Sequence, residues 1–296
     1  RDVERSRGLG DVYKRQGCED AIINMLYSLK IDYEIVDNTN HGKPIGVTFK
    51  GKERDEQLDA INALMPFSNG VLSATTAFGK TVTAAALIAR RKTNTLILVH
   101  SKALLMQWHE RLSEFLDIDF TGDEISKKRG RKKAFSPVGC LDSTSNTLHS
   151  VIDIALMQSC FENDEVKPFV KGYGMVIVDE CHHVSSITFE NVLKHVTAHY
   201  VYGLTATPIR KDGLQPIIFM QCGPIRFSAD AKAQIQKQSF QRYLVPRFTS
   251  YRPVTDDKQS FTELSQSLAE SEIRNNLIVE DVLNVVAAGR TPIILT

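Results

Sequence analysis

The chain has 296 residues, 42% hydrophobic and 24% charged, a globular composition that excludes global disorder. Lys and Arg number 36 and Asp and Glu 35, so the net charge is +1. The chain as a whole is therefore no polyanion sponge, and nucleic-acid contacts must come from local patches. No run approaches the ~20 apolar residues that a membrane helix needs.

Cys18, Cys140, Cys160, Cys181 and Cys222 form no CxxC pair and are odd in number. They read as reduced thiols of a cytoplasmic chain, not as a disulfide framework or a zinc ribbon. Arg1 to Gln16 contain no apolar core of a secretory leader. That stretch reads as a non-native scar, a linker or a native disordered tail, and is set apart from the fold.

Residues 17–51 read as a small N-terminal appendage. Ala21 to Leu29 has the spacing of a short amphipathic helix, Tyr33 to Val36 reads as a strand, and Asp37 to Pro44 as a loop. The core is expected over 52–222. Asp55 to Leu64 is helical, Val71 to Ala74 a short strand, and Lys80 to Arg91 an Ala-rich helix. Thr95 to Val99 is an unbroken apolar run, as in a parallel strand buried on both faces. Ser101 can cap a helix carrying Leu104, Leu105, Trp108, Leu112 and Leu116. Val151 to Met157, Met175 to Val178 and Tyr200 to Leu204 are strands, and Ser185 to His195 is a helix. Strands alternating with helices predict an α/β fold, a parallel sheet covered on both faces.

Residues 121–150 read as a polar insertion loop, with six Lys or Arg in the seven residues 127–133. Residues 223–260 read as a linker of mixed strand and loop. Phe261 to Ala288 reads as a long helix broken near Asn275, and Thr291 to Thr296 as the start of a strand.

Ala74-Thr75-Thr76-Ala77-Phe78-Gly79-Lys80-Thr81 follows a predicted strand and opens a helix. In that context backbone N–H groups wrap phosphates at a helix N-terminus. Lys80 would neutralise the β- and γ-phosphates, and the Thr81 hydroxyl would ligate Mg²⁺. The strict phosphate-loop pattern has Gly where this chain has Ala74. Asp179-Glu180-Cys181-His182 follows the apolar run 175–178. A strand's C-terminal end in a parallel sheet faces the ligand crevice. Asp179 there can hold Mg²⁺, and Glu180 can orient an attacking water.

These motifs and Thr205-Ala206-Thr207-Pro208 occur in the order of superfamily 2 helicases, with Arg54-x-x-Gln57 ahead of them. The chain resembles that superfamily. The resemblance implies a RecA-like P-loop core, ATP and Mg²⁺ as cofactors, and ATP hydrolysis coupled to movement along nucleic acid. It implies that Arg54, Gln57 and the loop Thr76, Ala77, Phe78, Gly79, Lys80 and Thr81 bind ATP, Gln57 by reading the adenine edge. Thr81 and Asp179 would bind Mg²⁺, with Lys80, Asp179 and Glu180 catalytic. His182, Thr205 and Thr207 would couple ATP state to nucleic-acid grip. His100, Ser101, Gln158, Ser159 and Arg210 would contact nucleic acid. Asp-Glu-Cys-His differs from the Asp-Glu-Ala-Asp of RNA-remodelling members. Arg210-Lys211-Asp212-Gly213 is similar to XPB-type and restriction-type DNA translocases, which favours duplex DNA over RNA.

In closely similar proteins a Gly stands where this chain has Ala77, and a site needing positive φ there would be strained. Asn94 to His100 and Ile218 to Arg226 also resemble the helicase part of bacterial conflict systems that join it to primase-like and nuclease domains. The resemblance implies that 261–296 is the truncated start of a second RecA-like domain. An RNA helicase, an ATP-sensing DNA clamp and a non-catalytic binding module stay open as alternatives.

Several features have blander readings. The basic run 127–133 suits either a phosphate-tracking loop or a solvated one. His195 and His199 stand four apart, but no third ligand has zinc spacing, so no metal besides Mg²⁺ is expected. Cys181 reads as part of the acidic motif and not as a nucleophile. Trp108, at helical spacing with Leu104 and Leu112, reads as core.

Overall fold

The computed structural model describes residues 16–119, 136–163, 165–182, 187–206, 215–229, 245–252 and 260–294. Two compact units are present, Arg1–Gln238 and Ser239–Thr296. In chain order the first holds α1 (Glu19–Ser28), β1 (Gly46–Phe49), α2 (Asp55–Leu64), β2 (Asn69–Ser73), α3 (Lys80–Arg91), β3 (Thr95–Val99), α4 (Lys102–Phe115) and β4 (Leu116–Asp119). There follow β5 (Gly139–Leu141), β6 (Ile152–Leu156), β7 (Phe161–Glu162), β8 (Glu165–Val166), β9 (Met175–Val178), α5 (Ile187–His195), β10 (Tyr200–Thr205), α6 (Gln215–Cys222) and β11 (Ile225–Ser228). The second unit holds α7 (Phe261–Glu270) and α8 (Glu272–Ala287).

Among the described residues seven strands form one sheet in the order β11-β2-β10-β9-β3-β6-β5. Every pairing in it is parallel. The α/β prediction therefore holds. The side-chain period of two explains why β3 is apolar throughout. Ile97 and Val99 enter one core layer, Leu96 and Leu98 the other. β9 divides likewise, Met175 and Ile177 from Val176 and Val178. The first layer is closed by α2, α3 and α4 through Ile61, Leu64, Ala84 to Ala89, Leu105, Trp108 and Leu112. The second is closed by α5 and α6 through Phe189, Val192, Leu193, Ile218 and Cys222.

Helices α2 and α3 match their predicted spans. Ser101 caps α4, its Oγ accepting the Leu104 N–H at 3.4 Å. Among the described residues no helix is long and apolar enough to cross a membrane.

Five expectations change. Tyr33 to Val36 forms no strand; it has no partner ladder, and its side chains lie exposed. The strand of that region is β1, which pairs antiparallel with β4 and buries Val47 beside Leu116. The stretch 121–150 is not loop throughout, because β5 joins the main sheet beside β6 and buries Leu141. Residues 225–228, assigned to a linker, are instead sheet strand β11, paired with β2. In the second unit the helical break falls at Ser271, which caps α8 through the Arg274 N–H, and not at Asn275. Residues 291–294 hold no strand, and 295–296 lie outside the described residues.

Candidate nucleotide and nucleic-acid site

In a parallel sheet the C-terminal strand ends share one edge, and loops leaving that edge form the ligand crevice. The sequence-predicted residues distribute along it by strand. The loop 74–79 leaves β2, Asp179 and Glu180 leave β9, Thr205 ends β10, His100 and Ser101 leave β3, and Gln158 and Ser159 leave β6. In the sheet order above, the phosphate-loop strand β2 and the acidic strand β9 flank β10, so Thr205 ends the strand between them. The residues expected to contact nucleic acid share β3 and β6 beside them.

The β2 loop passes through a single 3₁₀ turn, Thr76–Phe78, then Gly79 at φ +86°. Only glycine adopts that conformation at little cost. A Cβ there would also lie 2.6 Å from Gln57 Nε2. Positive φ thus falls on Gly79, while Ala77 is absent from the residues with positive φ. The strain expected of Ala77 does not arise. Phe78 is fully buried and anchors the loop in the core.

Lys80 opens α3 and is buried. Its Nζ donates to Ala74 O at 3.2 Å and to Glu180 Oε1 at 3.2 Å. The β2 and β9 motifs therefore meet through one ion pair. Glu180 has φ +47°, a left-handed conformation that ordinarily costs a non-glycine residue about 1–2 kcal/mol. Its Oε2 is buried and accepts no hydrogen bond, although His182 Nδ1 lies 3.2 Å away. That nitrogen is shared with Thr205 Oγ1 at 3.1 Å. The Ala74 N–H donates to Thr205 O at 2.9 Å, closing a ring of contacts from loop to acidic motif to β10.

Asp179 is buried beside Glu180. Its Oδ1 accepts the Glu180 N–H at 3.0 Å, and its Oδ2 accepts Trp108 Nε1–H at 2.7 Å. Burial pushes the Asp179 carboxyl above its ordinary value, and the Trp108 hydrogen bond opposes that shift. Trp108 is core, as its spacing predicts, but it is also a direct partner of the acidic motif. The signal that could have found it is the indole N–H, which must find an acceptor once the ring is buried.

Gln57 lies between the start of α2 and the phosphate loop. Its Oε1 accepts the Arg54 N–H at 3.0 Å and its Nε2 donates to Phe78 O at 2.9 Å. The Arg54 guanidinium also donates to Phe78 O. Gln57 is 3% exposed, so here it fastens the start of α2 to the phosphate loop and presents little free edge to a base.

Thr81 is half-buried in the first turn of α3. Gln158 is exposed and Ser159 half-buried in the turn after β6. Cys181 is fully buried and burial pushes its thiol well up, which removes it as a nucleophile. The Thr76 side chain, Thr207, Arg210, His183 and the basic run 127–133 lie outside the described residues. The donor set fits a triphosphate with a divalent ion: a buried lysine, two carboxylates (one with an unsatisfied buried oxygen), and a glycine turn opening a helix.

Residues 50–210 match the family described as "Type III restriction enzyme, res subunit". The chain belongs to this family. It is thereby a member of superfamily 2, in the branch shared by XPB-type and type III restriction proteins. "Putative helicase 109L" of Invertebrate iridescent virus 3 is 34% identical over 184 residues, covering 61% of this chain and 53% of that protein. The "DNA 3'-5' translocase XPB2" of Sulfurisphaera tokodaii is 26% identical over 200 residues, covering 67% of this chain and 41% of that protein. The UvsW helicase of bacteriophage T4 shares the fold, with a TM-score of 0.51 at 14% identity over 72% of this chain and 78% of that one. The ResIII chain spans about half the length of the curated relatives it matches.

Proposed function

We propose that this ResIII chain carries the ATP-binding half of a motor that hydrolyses ATP to move along duplex DNA. The observation that carries the reading is the meeting of Lys80 and Glu180 at 3.2 Å beneath the Gly79 turn, with Asp179 adjacent. Lys80 would hold the β- and γ-phosphate charge, and Glu180 would orient the attacking water. Thr81 and Asp179 would hold Mg²⁺, which when bound supplies charge neutralisation at the phosphates. Gln57 and Arg54 hold the loop carbonyls, so their part in nucleotide binding is to keep the loop in shape. His182 and Thr205 join the acidic motif to β10, a route by which occupancy could reach the β3 and β6 ends. There His100, Ser101, Gln158 and Ser159 would meet the phosphodiester backbone, Ser101 through the N-terminus of α4. A second RecA-like domain is proposed as the partner that supplies arginines to the phosphates.

DNA is favoured over RNA because more relatives are named as DNA 3'-5' helicases or a DNA translocase than as RNA helicases, and the acidic motif reads Asp-Glu-Cys-His. Two measurements test the proposal. Lys80→Ala should abolish binding of a fluorescent ATP analogue. Glu180→Gln should bind it at least as tightly as the parent, because it removes the charge that Lys80 is paired with. In a protein that includes the partner domain, ATPase should rise with duplex DNA more than with duplex RNA. Equal nucleotide affinity in the parent and Lys80→Ala would end the ATP reading, and greater stimulation by RNA would replace DNA with RNA.

A further inference from the structure

The opposite edge of the sheet holds a second cluster. Asp37, His41 and His199 offer ligand atoms that all lie within 4.8 Å of one another. His199 immediately precedes β10, so the cluster sits at the N-terminal strand ends, remote from Lys80 and Asp179. Asp37 Oδ2 lies 3.4 Å from His41 Nε2 and 3.3 Å from His199 Nδ1. A tetrahedral ion with bonds of ~2.0–2.1 Å has ligand–ligand edges of roughly 3.3–3.5 Å. These two edges have the spacing of a zinc coordination sphere; the two imidazole nitrogens lie within 4.8 Å of each other, and His199 Nδ1 also meets Thr39 Oγ1 at 2.8 Å, a contact the ion would replace.

The backbone around the cluster is fixed independently of those side chains. The Asn40 N–H donates to Thr197 O at 2.7 Å, and the His199 N–H to Asn40 O at 2.8 Å. Asn40 Nδ2 reaches Lys171 O at 2.7 Å, and Asn40 Oδ1 accepts the Gly42 N–H at 2.9 Å. The Asp37 carboxylate is oriented by Thr39, whose N–H and hydroxyl both donate to Oδ1, at 2.9 and 2.6 Å. Oδ2 is thereby turned toward the imidazoles. An outer partner that fixes a ligand in this way is a regular feature of metal sites. The two rings stack with centroids 4.1 Å apart, and His41, 63% exposed, can rotate to aim its lone pair.

We propose that Asp37, His41 and His199 form a binding site for a borderline transition-metal dication, Zn²⁺ by its ligand chemistry. Two imidazoles and one carboxylate suit Zn²⁺ and its probe Co²⁺, whereas Mg²⁺ prefers oxygen ligands. The ion clips the segment 37–42 to the start of β10, the strand whose other end carries Thr205. Pairwise sequence spacing misses such a site because His199 stands far along the chain from the Asp37-x-x-x-His41 pair. The inference does not depend on the ATP site.

The test is a titration of metal-free chain with Zn²⁺ against a chromophoric chelator, alongside the visible spectrum of the Co²⁺ form. One equivalent should bind, and His41→Ala, Asp37→Asn and His199→Ala should each weaken it by about tenfold or more. His41→Ala keeps the test decisive if His199→Ala fails to fold, because His41 is exposed. The Co²⁺ form should lack thiolate charge-transfer bands. Absence of stoichiometric binding, unchanged affinity in His41→Ala, or a thiolate spectrum would each overturn the proposal.

Discussion

Replacing Trp108 by Phe leaves an aromatic ring on α4 but removes the N–H that Asp179 Oδ2 accepts at 2.7 Å. Trp108 is 1% exposed and Asp179 6%, so water cannot readily substitute. Losing a hydrogen bond to a charged acceptor costs about 1.5–3 kcal/mol, and to a neutral one about 0.5–1.5 kcal/mol. The smaller ring also leaves a void, which adds to the cost. A double-mutant cycle with Asp179→Ala, which leaves the indole no side-chain acceptor, separates the two contributions. The expected coupling is about 1–2 kcal/mol. Unfolding by urea should be followed by far-UV circular dichroism, because Trp108 is the single tryptophan and its fluorescence is lost with it. The pH dependence has a definite sign. Burial raises the Asp179 pKa above 3.8. Such a group contributes stability that is full below the unfolded value and is lost as pH rises through the folded one. Removing the indole N–H raises the folded value further, so the deficit of Trp108→Phe should grow as pH rises above the ordinary carboxylate value. Additivity within about 0.5 kcal/mol, or a deficit independent of pH, would refute the reasoning.

Gly79→Ala should destabilise the chain by about 1–2 kcal/mol for the left-handed backbone alone. It should also weaken fluorescent-nucleotide binding, because the new Cβ would strike Gln57 Nε2; thermal unfolding and nucleotide titration measure the two effects. A thiol reagent at neutral pH should modify Cys18 first. Cys140 should lag, its thiol pushed up to about 11 by burial and by Asp153 and Asp142. Cys160 and Cys222, both pushed up to about 12 by burial, should react only on unfolding, as should Cys181. Mass spectrometry of partly labelled chain gives the order.

The elements legible in the sequence are those where one signal dominates. The β-branched and leucine run 95–99 reads as a strand buried on both faces, and β3 is one. The Ala-rich helix after Gly79 had both a start and a period. The motif order predicts Lys80, Glu180, His182 and Thr205 around one crevice, and their side chains meet there. What escaped depended on partners distant in sequence. β5 has three residues, too few for periodicity, and is a strand because β6 lies beside it. Tyr33 to Val36 had strand composition but no neighbour to pair with. Gln57 carries a helicase motif, yet which way its amide points is decided by Phe78 O. The Trp108–Asp179 bond joins α4 to the end of β9, and no local pattern encodes it.

Among the described residues the sheet ends in two strands that discourage addition of a further one. On one side β5 is three residues long. On the other, β11 shifts register against β2 between Ile225 and Phe227. Short or irregular borders give an incoming strand few consecutive backbone groups to pair with, which protects a protein from edge-to-edge aggregation. Among the described residues, therefore, neither border strand offers a long regular ladder.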